Sequence, residues 1–209
     1  MKNIVIIGDS YSTFMGANPE ENEVYYDCIR ETDVKSKEDT WWHKFVTKTG
    51  ANLVLNDSWS GATVCYTGRR TPEYAFRSSF VNRMHILLKE DFFKKNNIDT
   101  VFIFGATNDS WLETTPLGEP KFEDWREDDL YSTLPAISYM ISTLKKELTE
   151  GKIYFIINTE LDEKIGETIK EASERFGTAY IELKNIDKTE GHPTAKGMTE
   201  ICEQVISQL

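Results

Sequence analysis

The chain has 209 residues, 39% hydrophobic and 12% aromatic, enough to bury a sizeable core as one domain over 1–209. Its net charge of -11 opposes nucleic acid and anionic membranes as partners, and no apolar run reaches the length of a membrane span. Met1-Lys2 leads straight into an apolar run without a signal-peptide pattern, so a cytoplasmic protein with free thiols at Cys28, Cys65 and Cys202 is expected.

The β-branched run Asn3–Gly8 reads as a buried strand, and Gly8-Asp9-Ser10 places a hydroxyl just past its C-terminal end. A long connection follows, about 11–39, carrying Phe14, Tyr25 and Tyr26 as a pocket wall, a lid or simple anchors. Asp39-Thr40 can cap a helix over Thr40–Thr49 that Gly50 ends. The strand Asn52–Asn56 runs into Asp57-Ser58-Trp59-Ser60-Gly61-Ala62-Thr63; Arg69-Arg70 beyond it is either a local cationic pocket or a solvated pair. A helix over Ser79–Lys95 and a strand over Thr100–Gly105 lead to Gly105-Ala106-Thr107-Asn108-Asp109 and a second long connection, about 106–129, with Trp111 and Trp125. Then come a helix (Leu130–Thr149), a strand (Ile153–Asn158), a helix (Leu161–Phe176) that Gly177 ends, and a strand (Thr178–Glu182). Gly191-His192-Pro193 precedes a last helix, Ala195–Gln208, capped by Thr194 and carrying an apolar stripe. Alternating strands and helices, with nearly continuous apolar strands, predict an α/β fold with a parallel sheet.

In such a sheet the four polar segments share the C-terminal edge, where ligands bind. Their residue types divide the labour of acyl transfer. Ser10 is a nucleophile once a base takes its proton, and His192 has the right chemistry for that base. The Ser10 and Gly61 backbone N–H groups and the Asn108 amide can hold an oxyanion. His43 and His85 sit on helices and read as packing residues. The three histidines and three cysteines lack metal-ligand spacing, so no metal is expected.

These segments resemble the four sequence blocks of the SGNH, or GDSL, hydrolase superfamily, with Ser10, Gly61, Asn108 and His192 in the family's order over nearly the whole chain. The resemblance implies a single hydrolase domain with a flavodoxin-like three-layer α/β/α fold and five parallel strands in the order 2-1-3-4-5. It also implies serine esterase chemistry without metal or organic cofactor. One position departs: the family's triad acid stands three residues before the histidine, where this chain has Thr189. Asp187, Glu190 or a Ser–His dyad oriented by a backbone carbonyl remain, with Asp187 preferred because it follows the last strand segment. The expected substrate is a small ester, first an acetyl group on a carbohydrate. The alternatives are a long-chain acyl thioesterase or lysophospholipase, and an SGNH-fold binding module with weakened chemistry.

Overall fold

A computed structural model describes residues 2–27 and 29–209; the expected thiol of Cys28 lies outside the described residues. In chain order the elements are β1 (Asn3–Gly8), α1 (Trp41–Thr49), β2 (Asn52–Ser58), α2 (Pro72–Ser78), α3 (Phe80–Lys89), α4 (Phe92–Lys95), β3 (Thr100–Phe104), α5 (Thr107–Trp111), α6 (Thr133–Glu147), β4 (Lys152–Ile157), α7 (Glu163–Phe176), β5 (Ala179–Glu182), β6 (Lys188–Thr189), β7 (His192–Pro193) and α8 (Ala195–Ser207). The five longer strands pair in parallel in the order β2-β1-β3-β4-β5, as the resemblance implied. No helix among the described residues is long and apolar enough to cross a membrane.

The sheet separates two cores because side chains alternate across each strand. Ile4 and Ile6 of β1, with Phe102 and Phe104 of β3, pack under α1 and α8. Val5 and Ile7, with Val101 and Ile103, face α3, α6 and α7 on the other side. The capping chemistry read from sequence holds where it was expected. Thr40 accepts from the His43 amide, Thr194 accepts from the Gly197 amide, and Gly50 and Gly177 end their helices in the left-handed conformation.

Several elements differ from expectation, among them three helical segments. The segment Ser79–Lys95 is two helices, because Asp91 takes a left-handed φ of 56° that a continuing helix excludes. That break lets Phe93 turn into the core. The long helix at Leu130 starts instead at Thr133, after a 3-10 turn over Glu127–Tyr131. α2 was not expected; Thr71-Pro72, a capping threonine before a proline in the first turn, is its legible signal.

The carboxyl ends of β1 and β2 are tied together by Arg83 of α3, which is 4% exposed. Its Nη2 donates to the Gly8 carbonyl at 3.0 Å and its Nε to the Ser78 carbonyl at 2.8 Å. Its Nη1 donates to the Asp57 carbonyl and stands 3.2 Å from Asp57 Oδ1. Asn22 completes the group, donating to Asp57 Oδ1 at 3.0 Å and to the Ser58 carbonyl at 3.1 Å. Removing the guanidinium leaves the buried Asp57 carboxylate without its cation and the Ser78 and Asp57 carbonyls without the Arg83 donors, while the Gly8 carbonyl keeps the Trp59 amide. Arg83→Met is therefore expected to cost about 3–5 kcal/mol in denaturant unfolding; a loss below about 1 kcal/mol would contradict this reading of the clamp.

Candidate active site

Ser10 opens the 3-10 turn Ser10–Ser12 that follows β1. Asp9 anchors the turn: its N–H donates to the Phe104 carbonyl at 3.1 Å, and its Oδ1 accepts from the Tyr11 amide at 3.1 Å. Asp9 Oδ2 is buried without a hydrogen-bond partner. Burial pushes this carboxyl up to about 7, against the lowering effect of the Tyr11 amide.

β6 and β7 form an antiparallel hairpin, with Thr189 opposite His192 and Lys188 opposite Pro193. Glu190 and Gly191 make its two-residue turn, both with positive φ, 48° and 77°. Glycine suits the second turn position for a further reason, since a Cβ there would stand 2.9 Å from the Trp111 ring. The hairpin presents His192 to β1, and His192 Nε2 lies 3.0 Å from Ser10 Oγ. The other ring nitrogen, Nδ1, is 3.2 Å from the Glu190 carbonyl. A carbonyl can only accept, so Nδ1 carries the proton and Nε2 accepts from the serine hydroxyl.

The ring is held on other sides too. Tyr25 stacks on it, with centroids 3.5 Å apart and planes 2° from parallel. Trp111 meets it edge-on at 6.0 Å. Tyr11 donates to the Gly191 carbonyl and Tyr26 to the Pro193 carbonyl, pinning the hairpin backbone. Burial drives the His192 pKa down to about 4, with the charges of Arg30, Arg69 and Lys188 adding to the fall and the Glu190 carbonyl opposing it. The imidazole is therefore neutral at pH 7, the form able to accept a proton.

The structure does not bring Asp187, the preferred triad acid, to the imidazole. Asp187 Oδ2 accepts from the Thr194 hydroxyl, and its backbone N–H donates to Glu200 Oε2 at 2.8 Å. Asp187 thus closes the base of the hairpin against the start of α8. The reason is geometric: the tight turn sets residue 189 directly across from His192 and turns a backbone carbonyl toward Nδ1. Glu190 meets the ring through that carbonyl rather than through its carboxylate.

Gly61 and Asn108 both line the cleft beside Ser10 and His192, a space of about 280 Å³. Two contacts from α5 fix the Gly61 loop. Asn108 Nδ2 donates to the Ala62 carbonyl at 3.0 Å. Asp109 accepts from the Val64 amide at 2.9 and 3.1 Å and from the Thr133 hydroxyl at 3.2 Å. Burial raises the Asp109 pKa to about 6, and the Val64 and Cys65 amides counter it. Gly61 itself has a φ of 81°, a conformation that leaves its loop free of a Cβ against the Arg69 side chain.

His85 bonds Tyr139 at 2.9 Å and Tyr66 at 3.4 Å on α3, away from the cleft, and His43 lies on α1 near Glu38. Among the described residues no three His, Cys, Asp or Glu side chains gather as a metal site. A larger cavity, about 740 Å³, lies by the ends of β4 and β5 and contains neither Ser10 nor His192. The smaller cleft is the one that brings Ser10, Gly61, Asn108 and His192 together.

The sequence pattern of the family described as GDSL-like Lipase/Acylhydrolase matches residues 2–209. No curated protein matches the chain. Among solved structures, a protein described as a GDSL-like lipase from Bacteroides ovatus is 40% identical, with 99% of this chain and 97% of that one covered and a TM-score of 0.88. A second, from Bacteroides uniformis, is 38% identical over 100% of this chain and 95% of that one, with a TM-score of 0.89. An acetyl xylan esterase from Butyrivibrio proteoclasticus is similar in fold alone, at 16% identity and a TM-score of 0.64, covering 99% of this chain and 63% of that one.

The burial of His192 gives a direct spectroscopic expectation. Followed by NMR of its ring protons, His192 should titrate near pH 4; a midpoint near the ordinary histidine value of about 6.5 would contradict the desolvated, carbonyl-oriented imidazole.

Proposed function

We propose, since the chain belongs to the GDSL-like lipase/acylhydrolase family, that it is a serine-dependent carboxylic ester hydrolase of small acyl esters, in the first place acetyl groups on carbohydrates. Ester hydrolysis follows from the family. The observation that carries it is the 3.0 Å contact between Ser10 Oγ and His192 Nε2.

Ser10 Oγ attacks the ester carbonyl carbon as its proton passes to His192 Nε2. The negative charge on the carbonyl oxygen is met by the Ser10 and Gly61 backbone N–H groups and the Asn108 amide. The tetrahedral intermediate collapses by breaking the bond to the alcohol oxygen, which takes the proton from His192. Water then gives a proton to His192 Nε2 as it attacks the acyl-serine, and the acid leaves as Ser10 recovers its hydroxyl proton. Throughout, the Glu190 carbonyl holds the Nδ1 proton and orients the ring. It supports the imidazolium as a dipole rather than as a full charge. A low imidazole pKa suits this arrangement, since the neutral base is present across the physiological range.

A small acyl group fits the cleft better than a long chain. The space is about 280 Å³ and is walled by Tyr25, Trp111 and Tyr74 among charged and polar groups. Aromatic walls with polar rims suit a sugar ring. The engaged Ser10–His192 pair favours a working enzyme over a fold that only binds.

Ser10→Ala should lower kcat for an aryl acetate by about 10³-fold or more, and wild type should hydrolyse acetyl faster than octanoyl esters. Unchanged hydrolysis by the variant would overturn the mechanism, and a clear octanoyl preference the choice of substrate. Asp187→Asn and Glu190→Gln should each leave kcat far above the roughly 10⁴-fold drop that loss of a triad acid causes. Such a drop in either, with the melting temperature unchanged, would replace the carbonyl by that carboxylate.

A further inference from the structure

The charge of the cleft runs against that of the chain. Arg30, Arg69 and Arg70 line it with a single carboxylate, Glu23, although the whole sequence carries a net charge of -11. Two of these guanidiniums are engaged. Arg70 pairs with both Glu23 oxygens at 2.5 and 2.7 Å, so that pair is close to neutral. Arg30 lies 4.4 Å over the Tyr25 ring and donates through Nε to the Tyr25 carbonyl at 3.0 Å.

Arg69 differs. Among the described residues no hydrogen bond or ion pair engages its guanidinium, yet its stem is packed against the oxyanion loop: Cδ and Nε stand 3.3 and 3.9 Å from where a Gly61 Cβ would be. A guanidinium offers five donors in a planar fork that matches a carboxylate with two parallel bonds. Arg30 and Arg69 also both depress the imidazole pKa, so their fields reach the reaction centre, and an anion between them would be attracted there.

We propose that the cleft selects acetyl esters whose alcohol portion carries a carboxylate, as an acidic sugar does, with Arg69 as its main contact and Arg30 as the second. This rests on the ester-hydrolase reading and names the substrate class of that site. The charge belongs on the alcohol side because an acetyl group has no place for it. Arg70, already paired with Glu23, marks the rim.

The test compares phenyl acetate, 3-acetoxybenzoate and 3-acetoxybenzenesulfonate with wild type, Arg69→Gln and Arg69→Lys. The ratio of kcat/KM for the carboxylate ester to that for the neutral ester should fall about tenfold or more in Arg69→Gln. The fall should come through KM, be partly restored in Arg69→Lys, and shrink in wild type as sodium chloride is raised. A ratio that Arg69→Gln leaves unchanged overturns the inference while ester hydrolysis stands. A sulfonate preferred over the carboxylate overturns the choice of anion. In a second arm, glucuronate and glucose are titrated by NMR into Ser10→Ala and into Ser10→Ala combined with Arg69→Gln. Glucuronate-selective binding that needs Arg69 upholds the anion site even if no ester is hydrolysed, in which case the hydrolase reading is the one that fails. Equal binding of both sugars overturns the inference.

Discussion

The site depends on one buried guanidinium. Arg83 holds the carbonyls of Gly8 and Asp57, the last turns of β1 and β2, and its charge is matched by the Asp57 carboxylate. The Gly8 carbonyl accepts from the Trp59 amide at 3.0 Å, but the strand ends still have room for further donors where the sheet stops. Arg83 supplies those donors from the helical layer and so sets where each chain leaves the sheet. The Ser10 turn departs from one strand and the Gly61 loop from the other, so the spacing of these two segments rests on this clamp. A cation costs much to bury, and here it is retained with a carboxylate and three carbonyls around it.

The second constraint is the hairpin that delivers His192. Its two-residue turn gives a short, rigid arm and puts a peptide carbonyl where the family's pattern puts a carboxylate. Aromatic contacts compensate in part. Tyr25 fixes one face of the imidazole, while Tyr11 and Tyr26 bond to the hairpin backbone. The same packing removes water and lowers the ring's pKa, which keeps the proposed base neutral. Orientation by packing thus takes over much of the work that a charged partner would do through hydrogen bonding.

Much of this was legible in the sequence. The strand order was implied by the family resemblance, while the convergence of Ser10, Gly61, Asn108 and His192 followed from apolar runs that each end in a short polar motif; the structure has that order and brings those four to one cleft. The Thr189 departure pointed to the right place for a difference. Its outcome was not legible, because choosing among Asp187, Glu190 and a carbonyl depends on the φ angles of two turn residues. Glu190-Gly191 between short β segments was the available hairpin signal. Arg83 was hidden among Val81, Met84 and Leu87, because burial of a charged residue depends on partners 26 and 75 positions away. Arg69-Arg70 was seen as a pair but divides by environment: one is tied to Glu23 and the other is left facing the cleft.

The central claim is that a carbonyl-oriented histidine activates Ser10. It is tested most directly by exposing the protein to a fluorophosphonate and locating the adduct by mass spectrometry. An activated Ser10 Oγ displaces fluoride, so one adduct per chain is expected on the peptide containing Ser10. The labelling rate should also stay high as pH falls to about 5, and labelling should collapse in His192→Ala. Absence of an adduct on Ser10, or undiminished labelling in His192→Ala, would contradict that claim.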